Sequence, residues 1–310
     1  MLVLSATSFV AAAPTVIVIE GAAGADEFAP QFAQWRQRWE KAVRSAEATL
    51  ITIGVAKEQA DKSDKELVKE SLAALAGKSS DEVWMVLLGH GTYDGKTARF
   101  NLRGPDVSAD ELATWLEPVE RPVAVINCSS SSGPFISKLS RVNRVVLSAT
   151  RSGSEINFSR FGGFLSQAIA EPTADLDKDG QTSLLEAYLL ASRQTEEWYK
   201  EEGRLATEHA LIDDNADGLG TPAAWFVGVR AVKKAKDGTP LDGLRARLWC
   251  LIRSEGERKM SVEMRAERDA IELEMETLRT KKAQLNEAEY YAALEKLAVK
   301  LARVYEKVEK

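Results

Sequence analysis

"EVWMVLLGHGTYDG", residues 82–95, runs from an unbroken apolar block, Val83 to Leu88, straight into Gly89, His90 and Gly91. Six apolar residues stopped by glycine read as a strand buried on both faces, the kind found inside a parallel sheet. His90 is one of only two histidines in the 310-residue chain. In such sheets ligands meet the protein beyond the carboxyl ends of the strands. His90 is therefore either a turn residue or half of a site, and the choice depends on what the neighbouring strands carry.

Outward from this stretch, short β-rich runs alternate with amphipathic segments. "TVIVIEG" (15–21), "TLITIGV" (49–55), "PVAVINC" (122–128) and "RVVLSAT" (144–150) read as further buried strands. Between them, Phe28, Phe32, Trp35, Trp39 and Val43 recur at helical spacing. Ser63 with Glu66, and Ser108 with Glu111, mark two helix starts as capping boxes. "FGGFLSQAIAE" (161–171) begins another helix. This alternation predicts an α/β fold over 15–232, with a mostly parallel sheet sandwiched by helices. "KKAKDGTPLDG" (233–243) reads as a linker. Residues 244–310 contain no proline, and Ile271, Leu278 and Leu285 recur at seven, which predicts a helical hairpin or coiled coil suited to self-association or partner binding. Cys250, in "RLWCLIR", reads as a core thiol on the apolar side of this helix.

Composition narrows the class. The net charge is −6, without the basic stripe of a nucleic-acid binder. No apolar run reaches the length of a membrane span. The two cysteines, Cys128 and Cys250, are too few for a disulfide scaffold. Residues 1–14, "MLVLSATSFVAAAP", end like a secretory signal but lack its charged start. Export to a periplasmic or extracellular space and a cytoplasmic location both stay open.

Cys128 ends its strand in "VAVINCSSSSGPF". A thiol at a strand exit can act as a nucleophile if an imidazole takes its proton and nearby amides hold the oxyanion. An apolar block followed by His-Gly, then one followed by Cys, resembles the signature of the caspase-like cysteine peptidases. The His90 to Cys128 separation, "SSSSG" and "SATRSGSE" are most similar to the legumain-like family. The resemblance covers roughly residues 15–230 and implies a caspase-type fold, a peptide or protein substrate, His90 as general acid/base and Cys128 as nucleophile. It also implies the amides of Gly91 and Cys128 as the oxyanion hole. Legumain-type pockets carry charged residues near the first strand's exit, yet "EGAAGADEF" has no arginine there. Arg151, Ser148 and Glu155 are the alternative specificity residues, with Arg151 favouring an acidic P1 side chain.

A second pattern is independent of that family. "DLDKDGQTSLLE" (175–186) has the spacing of an EF-hand loop: Asp175, Asp177, Asp179, the Gln181 carbonyl, Ser183 and a bidentate Glu186 supply the hard oxygens calcium needs. Calcium is thus the one expected cofactor, in a structural role. "DDNADGLGTP" repeats the first half, with Asp213, Asn215 and Asp217, but Ala224 stands where the last ligand would be. His209 beside it reads as a packed or capping residue. The sequence therefore predicts a cysteine endopeptidase with a calcium loop and a helical extension. A catalytically silent binding or adaptor module and a transamidase of the same fold are the alternatives.

Overall fold

The computed structural model describes residues 13–55, 61–171 and 174–308. All but the last two residues of the signal-like segment lie outside them. Five strands form the parallel core of the sheet: β1 (Thr15–Glu20), β2 (Thr49–Ile53), β3 (Val83–Leu88), β4 (Val123–Asn127) and β5 (Arg144–Ser148). Their spatial order is β2-β1-β3-β4-β5. Two short strands, β6 (Leu211–Asp213) and β7 (Thr221–Pro222), extend the β5 edge, β6 antiparallel to both its neighbours. Leu87 and Ser148 both sit opposite Asn127, so β3, β4 and β5 end side by side.

Alternation along each strand divides its side chains between two helical layers. Helices α1 (Ala29–Ser45), α5 (Phe161–Ala170) and α6 (Leu184–Glu201) cover one face, where Trp35, Trp39, Leu165 and Tyr188 pack on Val16, Val86, Ile126 and Leu147. Helices α2 (Asp64–Ala74), α3 (Ala109–Leu116) and α4 (Pro134–Leu139) cover the other, where Leu72, Leu112 and Phe135 pack on Ile17, Met85 and Val125. The mainly parallel α/β sandwich expected from the sequence is the architecture observed. Both expected capping boxes are present, Ser63 with Glu66 and Ser108 with Glu111.

The sequence pattern gives no sign of three features. A three-stranded antiparallel sheet, Gly91–Tyr93, Ala98–Phe100 and Val107–Ser108, follows directly on His90. Helix α4 grows out of the serine-rich stretch. The antiparallel edge β6-β7 brackets the second acidic loop.

The boundary of the first unit also moves. The chain divides into compact units at 254/255, so residues 244–254 belong with the sheet rather than with the helical extension. Ala246, Trp249 and Leu251 are part of its core. The 233–243 stretch is anchored near its end, because buried Asp242 accepts hydrogen bonds from the Asp214 and Asn215 amides and from the Thr221 hydroxyl. Cys250 is buried as expected, but it follows a short 3-10 turn (Ala246–Leu248) and does not lie on a long helix. The second unit is a helical hairpin of α7 (Val262–Thr280) and α8 (Glu287–Glu306), with Ile271, Tyr290 and Val304 buried and Lys307 reaching Glu267 at 3.1 Å. No helix among the described residues is long and apolar enough to cross a membrane.

Candidate active site

His90 and Cys128 leave adjacent parallel strands at the same end of the sheet. Cys128 follows β4 directly, and its N–H donates to the Leu87 carbonyl at 2.9 Å. Strand alternation puts its side chain with Ala124 and Ile126, on the α1/α5/α6 face. The His90 ring is held by three aromatic residues: Phe28 and Phe32 meet it edge-on at 4.9 and 5.2 Å between centroids, and Phe158 at 5.9 Å. Phe32 belongs to the same apolar layer as Cys128, and Phe28 and Phe158 pack against that layer.

One ring nitrogen of His90, Nε2, lies 3.0 Å from the Ala23 carbonyl. A carbonyl only accepts, so Nε2 carries the proton and Nδ1 of the neutral ring keeps its lone pair. Burial lowers the His90 pKa, and the Ala23 contact opposes this in part. The imidazole is consequently neutral at pH 7, the form a general base needs.

Cys128 is 0% exposed. A Cβ on Gly162, in the first turn of α5, would lie 2.7 Å from the Cys128 Cβ and 2.9 Å from the Trp35 ring. The missing side chain is what lets α5 and Trp35 close over the thiol. Burial pushes the Cys128 pKa up, and the nearby Glu208 carboxylate adds to the rise. Glu208 is fixed there because it accepts from Ser159 Oγ (2.6 Å), Arg160 N–H (2.9 Å) and Phe161 N–H (3.1 Å) at the start of α5. Among the described residues no hydrogen bond joins His90 to Cys128. The two groups share an end and a face of the sheet, with the thiol protonated and covered.

The oxyanion assignment needs correction in this arrangement. The Gly91 N–H donates to Ser130 Oγ at 3.1 Å, and the Cys128 N–H is spent on Leu87, so neither amide is free. Gly91 serves a different purpose from approach to a substrate: a Cβ there would stand 2.2 Å from the Ser130 carbonyl oxygen. Serines 129–132 are all buried and tie the three strand exits together. Ser130 Oγ also donates to the Gly91 carbonyl, and Ser132 Oγ accepts from the Ala149 and Thr150 amides.

The specificity candidates are likewise engaged within the protein. Ser148 is buried and its hydroxyl donates to the Thr150 carbonyl, so it cannot face a substrate here. Arg151 is 61% exposed at its side chain and pairs with Glu155 at 3.1 Å. Glu155 in turn holds the Arg151 amide, the His209 amide and His209 Nδ1, the last at 2.6 Å. His209 thus packs against Glu155 rather than against the acidic loop. The roles of Glu208, Ser130 and Phe158 carry no signal in the sequence, since the partners described above lie 39 or more positions away.

The first acidic loop gathers some of its expected ligands. Carboxylate oxygens of Asp175, Asp177 and Glu186 lie within 4.8 Å of one another. Burial, followed by the charges of Glu186 and Asp179, raises the Asp177 pKa, so a cation would relieve the crowding. Three converging carboxylates suit a hard cation such as calcium. Asp179 turns away toward the Gln181 amide groups, and Ser183 caps α6 in a capping box with Glu186. Asp175, Asp177 and Glu186 therefore form the core of this donor set.

Fold and strand-exit residues together define a mainly parallel α/β protein with a half-buried His90 and a buried Cys128 at one end of the sheet, and a C-terminal helical unit. No protein-family model matches the chain, and no curated protein matches it in sequence. Among solved structures it is similar to the Drosophila initiator caspase Dronc, with 14% identity and a TM-score of 0.41. That alignment covers 67% of this chain and 81% of that one.

Proposed function

We propose that this chain is a caspase-type cysteine peptidase of legumain-like character, with His90 and Cys128 as its dyad and the described arrangement as its closed form. The observation that supports the reading most is the exit of His90 and Cys128 from neighbouring parallel strands onto one face of the sheet. In the open form His90 Nδ1 takes the Cys128 proton, and the thiolate adds to the substrate carbonyl. The imidazolium then protonates the departing amine, leaving a thioester that water hydrolyses with His90 as base. Opening must free at least one amide for the oxyanion, and an acidic P1 residue would have to draw Arg151 from Glu155. The buried thiol favours a second reading, a silent binding module of the same fold.

Acyloxymethylketone probes varied at P1, applied with and without calcium, separate the two. The peptidase reading expects mass spectrometry to find the label on Cys128, and His90→Ala to abolish labelling. An unlabelled Cys128 in folded, calcium-loaded protein leaves the silent module; an added amine appearing in the products indicates transamidation.

Calcium at Asp175, Asp177 and Glu186 stabilises the insertion that leads into α6. Saturating calcium at about 100 Kd should add about 2.7 kcal/mol of stability. Thermal melts in calcium and in chelator measure this, and Asp175→Asn should erase the difference attributable to this loop.

A further inference from the structure

The second acidic loop follows β6, at the opposite end of the sheet from His90. Asp213 is only 1% exposed. One of its oxygens, Oδ1, accepts from the Ala216 N–H at 3.2 Å, and the Ser140 hydroxyl also acts on this carboxylate, whereas Oδ2 is sealed from solvent with no hydrogen-bond partner. Asp217 repeats the arrangement: Oδ1 accepts from the Leu219 N–H at 2.8 Å, and Oδ2 is sealed and unpaired. No lysine or arginine pairs with either carboxylate among the described ion pairs. Buried carboxylate oxygens without donors are costly, and native proteins normally satisfy them with a partner, a proton or a metal.

Backbone geometry relates this loop to the first one. Residues at the fourth and sixth positions have positive φ in both: Lys178 and Gly180 at 61° and 86°, Ala216 and Gly218 at 66° and 74°. In both, the fifth-position carboxylate accepts from the seventh-position amide. They differ in what closes them. Glu186 spans the first loop, while Ala224 offers nothing to the second. Instead, Ser140 at the end of α4 accepts the Gly218 N–H at 3.0 Å and ties the loop to the neighbouring layer.

We infer that the 213–219 loop is a second calcium site, with the cation held between the orphaned Oδ2 atoms of Asp213 and Asp217. With two carboxylates and no twelfth-position ligand, the site belongs at the weak end of the range for such loops, about 10⁻⁴ to 10⁻³ M. Its ion would brace the β6-β7 edge against α4. The inference depends neither on peptidase activity nor on the first loop binding metal.

Titrating calcium chloride into the full-length, chelator-stripped chain by calorimetry tests it. Wild type should take up two equivalents, and Asp217→Asn and Asp175→Asn one each. If wild type binds one ion that Asp217→Asn removes and Asp175→Asn does not, the first-loop reading fails and this one stands. If Asp217→Asn binds as wild type does, the second site does not exist and the buried oxygens share a proton instead. Asp213→Asn gives an independent readout by thermal melts. A metal site predicts that it is no less stable than wild type in chelator and that it loses part of the calcium-induced rise in Tm. Equal destabilisation with and without calcium would make Asp213 a structural carboxylate and overturn the inference.

Discussion

Cys128 in the folded chain is expected to react with iodoacetamide at least about a hundredfold more slowly than the same cysteine in urea, because only the thiolate attacks. Both causes of the raised pKa are local: desolvation under α5, and the Glu208 carboxylate at that helix's start. A group whose charged form is disfavoured stays neutral to higher pH, so the alkylation rate should still climb tenfold per unit beyond about pH 8.5, where an ordinary thiol begins to level off. Peptide-level mass spectrometry is needed to separate Cys128 from Cys250, which is also buried. Phe158→Ala then probes the cover. Phe158 is half-buried, stacks on Phe28 at 4.6 Å and tilts over Trp35 at 5.8 Å, so its loss should loosen the lid without emptying the central core. A tenfold or greater rise in the Cys128 rate is expected with little change in Tm. Fast alkylation of the wild-type thiol would show that the closed form is not the one in solution. An unchanged rate in Phe158→Ala would assign the cover to α5 and Trp35 alone.

Local pattern is what made part of this fold legible in the sequence. Val83–Leu88 and Val123–Asn127 are strands because every residue but the last of the second is apolar and a turn ends each run. The pattern places His90 and Cys128 each just past a strand exit; that the two strands are neighbours is what the structure adds, and their pairing as a dyad rests on the family resemblance. Whether the thiol is open is not legible there, because it turns on Gly162 and Glu208, 34 and 80 positions from Cys128 in the chain. The buried role of the serine run is hidden for a similar reason. Hydroxyl-rich stretches usually mark solvated loops, yet each of Ser129, Ser130 and Ser132 finds a buried partner on another strand exit or on Asn127. Asp242 hides the anchoring of the linker in the same way, since its acceptors are filled by residues some 20 to 30 positions earlier.

Gly91→Ala is expected to destabilise the chain by about 3 kcal/mol, the upper part of the range for a forced insertion into a packed site. The new methyl would stand 2.2 Å from the Ser130 carbonyl oxygen, 2.8 Å from Ser129 Oγ and 3.1 Å from the Arg99 carbonyl oxygen. Two of those three atoms are backbone, so rotamer changes cannot make room. Relief requires the exit of β3 to move away from the exit of β4, which breaks the reciprocal bonds between Gly91 and Ser130. Those exits carry His90 and Cys128, so any labelling of Cys128 by an activity probe should be lost together with stability. Urea unfolding and probe labelling, measured on one preparation, separate this account from the resemblance-based one, in which Gly91 lends its amide to the substrate. A stable Gly91→Ala protein with unchanged urea midpoint and lost labelling would return Gly91 to the oxyanion hole. A shifted midpoint accompanied by lost labelling places its function in holding two strand exits at backbone contact.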